Sequence, residues 1–164
     1  MDRRVLVAYA SKAGSTIEIA AEIGKVFKDR SFAVDVLPIN KVTDVTIYRA
    51  VVLGSAIRIG KILPEAMSFI ERNQETLKTM PFAMFIVCLT LRKDDPCNRE
   101  TVRAYLDPVY KIVEPASVGL FAGVLNMKRL GMGERMLAKM IQAPEGDFRQ
   151  WDQIDTWARS LPTP

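Results

Sequence analysis

Five short apolar runs, each followed by a helical or polar segment, constrain this chain more than any other feature. They cover residues 4–10 (RVLVAYA), 32–39, 49–55 (RAVVLGS), 81–89 (PFAMFIVCL) and 117–125 (SVGLFAGVL). Most are continuous in apolar residues rather than alternating, which is the pattern of strands buried on both faces. Helical spacing spans 14–30, where Ile19, Ile23 and Val26 recur beside Ala20 and Phe27. It returns over 64–73 behind Pro64, over 98–113 with a break at Pro108, and over 148–161 through Trp151, Ile154, Trp157 and Leu161. A short helical turn is expected at 44–48. This alternation predicts an α/β fold: a five-stranded parallel sheet sandwiched between two helical layers. The expected strand order is 2-1-3-4-5, with a ligand at the carboxyl ends of the strands near the switch point. There the loops 11–16, 55–61 and 89–93 meet.

The first of these loops, Ser11-Lys12-Ala13-Gly14-Ser15-Thr16, joins the first strand to the first helix. The first-turn N–H groups of a helix have no intrahelical partner and carry the positive end of the dipole. A glycine that admits close approach and three hydroxyls beside those groups are what a phosphate site needs. Ser11 or Ser15 acting only as a helix cap is the competing explanation. Three phosphate or phosphoryl motifs are excluded at this place. No second Gly-Lys follows Gly14, as a P-loop requires, and no GxGxxG is present. A phosphoacceptor receiver domain needs acidic residues where this chain has Ser11-Lys12 and Gly54-Ser55.

Composition narrows the chemistry further. The chain of 164 residues is of single-domain size and contains no histidine, which excludes His-based acid–base catalysis and His-ligated metals. Cys88 and Cys97 stand nine positions apart, too far for a CxxC redox pair or a zinc knuckle. Cys88 reads as a small core residue, and nothing near Cys97 marks it as a nucleophile. No apolar run approaches the ~20 residues of a membrane-spanning helix. The run near the N-terminus is too short for a signal peptide, so a cytoplasmic location is expected. The net charge of +4 favours an anionic cofactor, an acidic substrate or an anionic membrane surface. Nucleic acid is not expected, because the basic residues are dispersed and no base-reading helix or aromatic strand is present.

About twenty residues, 126–146, are additional to five plain strand–helix units. They carry Lys128, Arg129, Arg135 and Lys139 against Glu134 and Glu145, with Met127, Leu130, Met132, Met136, Leu137, Met140 and Ile141 interspersed. Leu137, Met140 and Ile141 can form one face of a short helix. Such a helix would add to the core, form a homodimer face, cover a cofactor as a lid, or make peripheral contact with a membrane or quinone.

The first loop resembles the flavodoxin phosphate loop, [ST]-x-[ST]-G-x-[ST], and departs from it at Ala13. Within that superfamily the chain is similar to the branch of menaquinone-dependent protoporphyrinogen oxidases. Gly54-Ser55-Ala56-Ile57-Arg58-Ile59-Gly60 resembles that branch's G-[AS]-[SA]-I-R-x-G loop, and Leu89-Thr90-Leu91-Arg92-Lys93 its N-L-x-x-[RK] loop. Phe121-Ala122-Gly123-Val124-Leu125 with the basic insertion parallels its A-G-x-L strand and insert. Asp147-Phe148-Arg149-Gln150-Trp151 resembles the D-[YF]-R-x-W entry to the last helix. The insertion is shorter and less aromatic than in the true oxidases.

The resemblance implies FMN, its phosphate on Ser11, Lys12, Ala13, Gly14, Ser15 and Thr16. It implies a flavin ring between Ser55, Ala56, Ile57 and Arg58 on one side and Leu89, Thr90, Leu91 and Arg92 on the other. Neither ring loop offers Trp or Tyr. Positive charge from Arg58 and Arg92 would favour the anionic reduced flavin and raise its potential. One reading is an FMN oxidoreductase that takes electrons from an acidic organic substrate and passes them to a quinone or another acceptor. Arg58, Lys61, Arg92 and Lys93 would then steer substrate carboxylates, with Lys128 and Arg129 on the acceptor side. A second reading is an electron-transfer module that docks on redox proteins and has no substrate site. A third is a flavodoxin-like scaffold without flavin, for which Ala13 is the only direct support.

Overall fold

The structure, a computed structural model, describes residues 3–11, 14–140, 145–162 and 164. Strand β1 (Arg4–Ala10) leads into helix α1 (Ser15–Asp29), then β2 (Ala33–Pro38), β3 (Ala50–Arg58) and the two-residue β4 (Lys61–Ile62). Helix α2 (Pro64–Leu77), β5 (Phe82–Val87), α3 (Pro96–Ala104) and α4 (Asp107–Tyr110) follow. The chain continues through β6 (Ser117–Phe121), β7 (Val124–Leu125), α5 (Met132–Met140), β8 (Gly146–Asp147) and α6 (Trp151–Ser160). The parallel strands lie in the order β2-β1-β3-β5-β6, which is the 2-1-3-4-5 arrangement anticipated from the alternating units.

Both faces of the sheet are buried, and residue parity along each strand decides which face a side chain serves. In β1, Val5 and Val7 belong to one core with Ile19, Ile23 and Phe27 of α1, and Ile154 and Ala158 of α6 complete that core. Leu6 and Ala8 pack on the other side, with Ala66, Phe69 and Ile70 of α2 and Val102 and Val109 of α3 and α4. Two cores on opposite faces explain why β1 has no alternating polar residue. They also leave the polar chemistry of the chain to the sheet's carboxyl edge.

Several elements differ from the sequence expectation. Strand β3 does not stop at Ser55, because Ile57 and Arg58 pair antiparallel with Ile62 and Lys61 of β4. The turn between them places Ile59 at φ 51 and Gly60 at φ 67, as a two-residue type I′ hairpin requires. The fifth run divides at Ala122 and Gly123, and Val124 and Leu125 pair instead with Asp147 and Gly146 of β8. The helix over 98–113 breaks at Tyr105 and Leu106, since Pro108 has no N–H to offer the Ala104 carbonyl. Residues 44–48 form a turn rather than a helix. The Asp44 carboxylate accepts both the Thr46 N–H at 2.8 Å and its hydroxyl at 2.6 Å, an arrangement that competes with helix formation.

Strand β3 runs beside β5 with Gly54 level with Phe85, a place where no further side chain fits. A Cβ on Gly54 would lie 2.0 Å from Cζ of Phe85, a fully buried ring packed against Phe121 and Trp157. The ring has nowhere to move. Gly54→Ala is therefore expected to destabilise the fold by about 1–3 kcal/mol, as overpacking does. A urea unfolding midpoint unchanged from that of the parent protein would contradict this packing.

Candidate functional site

The turn between β1 and α1 is built by Ser11 and Gly14. Gly14 sits at φ 92, in the left-handed region that glycine enters without strain, and its N–H donates to the Ser11 hydroxyl at 3.2 Å. The Ser11 side chain thus shapes the turn. Gly14 is the N-cap of α1, which opens without a side-chain cap, and Glu18 N–H makes the return bond to the Gly14 carbonyl. Ser15 and Thr16 lie ahead of that bond, so their N–H groups have no partner within the helix.

Thr16 is fully buried, and its hydroxyl is the buried side-chain polar atom left without a partner among the described residues. Such a group costs about 1–3 kcal/mol unless something satisfies it. Its position in the first turn of a helix, beside a left-handed glycine, is that of a donor to an anion. Lys12 and Ala13 lie outside the described residues.

Strand register brings the other two loops to this place. Ala10 is level with Ser55, Ser55 with Ile86, and Val87 with Phe121, so the strands end along one edge. A cleft of about 570 Å³ lies along that edge. Of the residues singled out from sequence, Ser15, Ala56, Ile57, Arg58, Leu89 and Thr90 line it. Ser55 is fully buried behind it. Its hydroxyl donates to the Ala56 carbonyl at 2.8 Å and accepts the Leu63 N–H at 3.2 Å, tying β3 to the start of α2.

Leu91 packs in the core with the face that holds Cys88, because residues 89–92 coil as a 3-10 turn that points it inward. Arg92 closes the same turn, donating to the Leu89 carbonyl at 3.2 Å, and Lys93 is exposed beyond it. Lys61 and Lys128 are exposed and do not reach the cleft wall. Of Arg129, only the backbone is described, in the 3-10 turn over Met127–Arg129.

The insertion supplies one wall of the cleft, close to the lid reading open for it from sequence, but its lining residues were not singled out there. Leu130, Gly133, Glu134, Leu137 and Ala138 face the cleft from α5 and its approach. Arg58 reaches across to Glu134, with Nη2 2.7 Å from Oε1, so the cation singled out from sequence is paired at the cleft rim. Arg135 braces the helix from behind, donating to the Met127 carbonyl at 3.0 Å and the Leu130 carbonyl at 3.3 Å.

Tyr105 is a second lining residue that sequence reasoning passed over. It falls at the break between α3 and α4, beside the hairpin tip, where a Cβ on Gly60 would lie 3.5 Å from its ring. Gly123 is a third. A Cβ there would meet Val87 at 2.7 Å and the Ser15 hydroxyl at 3.0 Å, so the chain passes directly over the start of α1.

The segment 147–151 anchors the far end of the insertion. Asp147 receives three bonds from Arg149, from its backbone N–H at 3.0 Å, Nε at 2.9 Å and Nη2 at 2.6 Å, and Arg149 also pairs with Glu18 of α1. Its guanidinium lies 4.6 Å from the centroid of Trp151. The hydrogen bonds from Arg149 hold the Asp147 carboxyl below the usual carboxylate range. The motif therefore fastens the insertion to the first helix.

Fold and site together define a doubly wound α/β protein with an uncapped helix start and a buried, unpartnered hydroxyl at its switch point. The chain belongs to the flavodoxin domain family, whose sequence pattern matches residues 6–152. FMN is the cofactor that goes with this family, and the unpartnered Thr16 hydroxyl fits its phosphate. Among curated proteins the chain is similar to the protoporphyrinogen IX dehydrogenase (quinone) of Escherichia coli strain K12. They are 24% identical over 172 residues, covering 96% of this chain and 94% of the relative. A protein of the same name from Leishmania major is 29% identical over 148 residues, covering 87% of this chain and 64% of that one. Among solved structures, a short-chain flavodoxin associated with a bacterial microcompartment superposes with a TM-score of 0.61. It is 15% identical, with 96% of this chain and 95% of that one covered. A Streptococcus pneumoniae TIGR4 flavodoxin gives 0.60 at 16% identity, with 96% and 97% covered. These two likenesses show the fold.

The Arg58–Glu134 pair holds α5 against the hairpin from outside both cores. Glu134→Ala is expected to speed amide hydrogen exchange over 132–140 by about two- to fivefold, the amount a partly exposed ion pair sustains, and to leave β1, β3 and β5 unchanged. Equal protection of α5 in both proteins would show that the pair does not fasten the insertion.

Proposed function

We propose that the chain is an FMN oxidoreductase of the protoporphyrinogen dehydrogenase type, passing electrons from an acidic organic substrate to a quinone. The observation that carries the cofactor half of this reading is the buried, unpartnered hydroxyl of Thr16 at an uncapped helix start. Ser15 and Thr16, with their N–H groups, would hold the phosphate, and Gly14 with Ser11 keeps the turn that exposes them. Ala56, Ile57, Leu89 and Thr90 would flank the ring, and Tyr105 lies on the same cleft. When bound, FMN supplies the redox centre, accepting and releasing electrons at its isoalloxazine.

The protein's contribution is orientation, water exclusion and charge. The apolar wall from Leu130, Leu137 and Ala138 keeps water from the ring side of the cleft. Arg58 stands at the rim, where a substrate carboxylate can share it with Glu134. Lys61, Lys93, Lys128 and Arg129 would supply longer-range attraction to an anionic substrate or acceptor. Support for the oxidoreductase reading comes from the two curated relatives named as protoporphyrinogen IX dehydrogenases and from the insertion that narrows the cleft.

Two measurements test the reading. FMN-loaded protein is expected to oxidise protoporphyrinogen IX with a menaquinone analogue as acceptor. Loaded protein that exchanges electrons with redox proteins and leaves the porphyrinogen untouched would be a carrier instead. Thr16→Val is expected to weaken FMN binding by at least about tenfold while stabilising the free protein by about 1 kcal/mol, since it removes an unsatisfied buried group. Unchanged FMN affinity in this variant would separate Thr16 from the phosphate.

A further inference from the structure

The amino edge of the sheet, opposite the cleft, carries a second concavity. Strand pairing assembles it. Arg49 N–H donates to the Arg4 carbonyl at 2.8 Å and Val51 N–H to the Pro81 carbonyl at 3.0 Å, so the starts of β1, β3 and β5 lie side by side. Across those starts opens a cavity of about 760 Å³. Arg3 lines it from just before β1, Arg49 and Thr46 from the turn before β3, and Thr76 from the end of α2. No Asp or Glu side chain is among its lining residues. Arg3 and Arg49 are exposed, and neither appears in an ion pair among the described residues. The seven residues of β1, at about 3.3 Å each, set this edge roughly 20 Å from the cleft.

We infer that this cavity is a second anion site, one that takes a phosphate monoester with a hydroxylated body, of about the size of a nucleoside monophosphate. Charge sets the class. Two guanidiniums line one cavity without a counter-charge, and a phosphate monoester brings nearly two negative charges at neutral pH. A single carboxylate would leave one cation unmatched. Each guanidinium can hold two phosphate oxygens in its fork, and the Thr76 hydroxyl, which makes no hydrogen bond among the described residues, can donate to another.

The remaining walls suit the body of such an ester. The hydroxyls of Thr46 and Thr79 already donate, to the Asp44 carboxylate at 2.6 Å and to the Thr76 carbonyl at 2.7 Å, so each has only lone pairs left to offer. Lone pairs call for O–H or N–H groups on the ligand. Met80 and Pro81, both half-buried, add an apolar surface for a ring or a carbon frame. Carboxylates adjoining the cavity are engaged elsewhere. Asp44 is held by Thr46, Asp35 accepts the Tyr48 hydroxyl at 2.7 Å, and Glu75 pairs with Lys78 at 3.1 Å. The site uses neither Thr16 nor flavin, so it and the FMN reading fail separately.

Calorimetric titration of the purified full chain with adenosine monophosphate and with glucose 6-phosphate tests the inference. At least one of the two is expected to bind, and its counterpart without phosphate, adenosine or glucose, to bind at least about tenfold more weakly. Inorganic phosphate should also bind more weakly than the ester, because Thr46, Thr79 and the apolar surface then have nothing to hold. Arg3→Gln and Arg49→Gln are each expected to weaken the ester at least about tenfold. Both side chains are exposed, so circular dichroism and thermal midpoint should match the parent. Thr16→Val should leave this binding unchanged, which separates the cavity from the start of α1. Parent chain that binds neither ester, a folded double variant Arg3→Gln, Arg49→Gln that binds as the parent does, or binding abolished by Thr16→Val would overturn the inference. Inorganic phosphate bound as tightly as the esters would make the cavity a bare anion site and overturn it too.

Discussion

Burial of the central sheet on both faces is the constraint from which the remaining features follow. A strand covered on two sides has no outward face for a polar group, so β1, β3 and β5 are apolar almost throughout. Charge, hydroxyls and flexible glycines are left to the strand ends. Parallel pairing then aligns those ends, Ala10 beside Ser55 and Ser55 beside Ile86, and three loops far apart in sequence come to share one edge. The same topology points the start of α1 at that edge. The anion site proposed at the switch point thus follows from the layer architecture, and the buried, unpartnered hydroxyl of Thr16 is the observation that supports it.

The insertion modifies this plan without altering the sheet. It leaves after Leu125 and returns through Gly146, and the two-stranded pairing of β7 with β8 holds its ends together. Arg149 fastens the returning end to Asp147 and to Glu18 of α1, while Arg58 and Glu134 join α5 to the β3–β4 hairpin. Fixed at both edges of the cleft, α5 turns an open groove into a walled one. The ion pair also offsets the positive charge at the rim. A bound flavin would feel Arg58 less than the unpaired cation suggested by sequence, and its potential would be raised less.

The layer order was legible because it rests on local signals. Residues 4–10 form a strand with the bounds read from their apolar run, and Pro64 opens α2 where the first-turn preference of proline places it. What sequence hid depends on partners distant along the chain. Ile57 and Arg58 look like loop residues until β4 pairs with them, and Val124 and Leu125 look like the end of β6 until β8 draws them away. Leu91 resembles its neighbours in the loop 89–93, yet a 3-10 turn sends it into the core. Tyr105 sits on the cleft because Pro108 breaks the helix just beyond it, and that consequence of the break was not read from the sequence. Glu134 as the partner of Arg58 has no local signature. The pairing exists only because the insertion folds back across the site.

The central claim is that the uncapped start of α1, with the buried Thr16 hydroxyl, is a phosphate site for a flavin nucleotide. Titration of the flavin-free chain with FMN and with riboflavin, followed by quenching of flavin fluorescence, isolates the phosphate. The account predicts tight FMN binding and riboflavin binding weaker by at least about a hundredfold, the worth of two charge-assisted hydrogen bonds. Equal affinity for the two flavins, or no uptake of either, would contradict it.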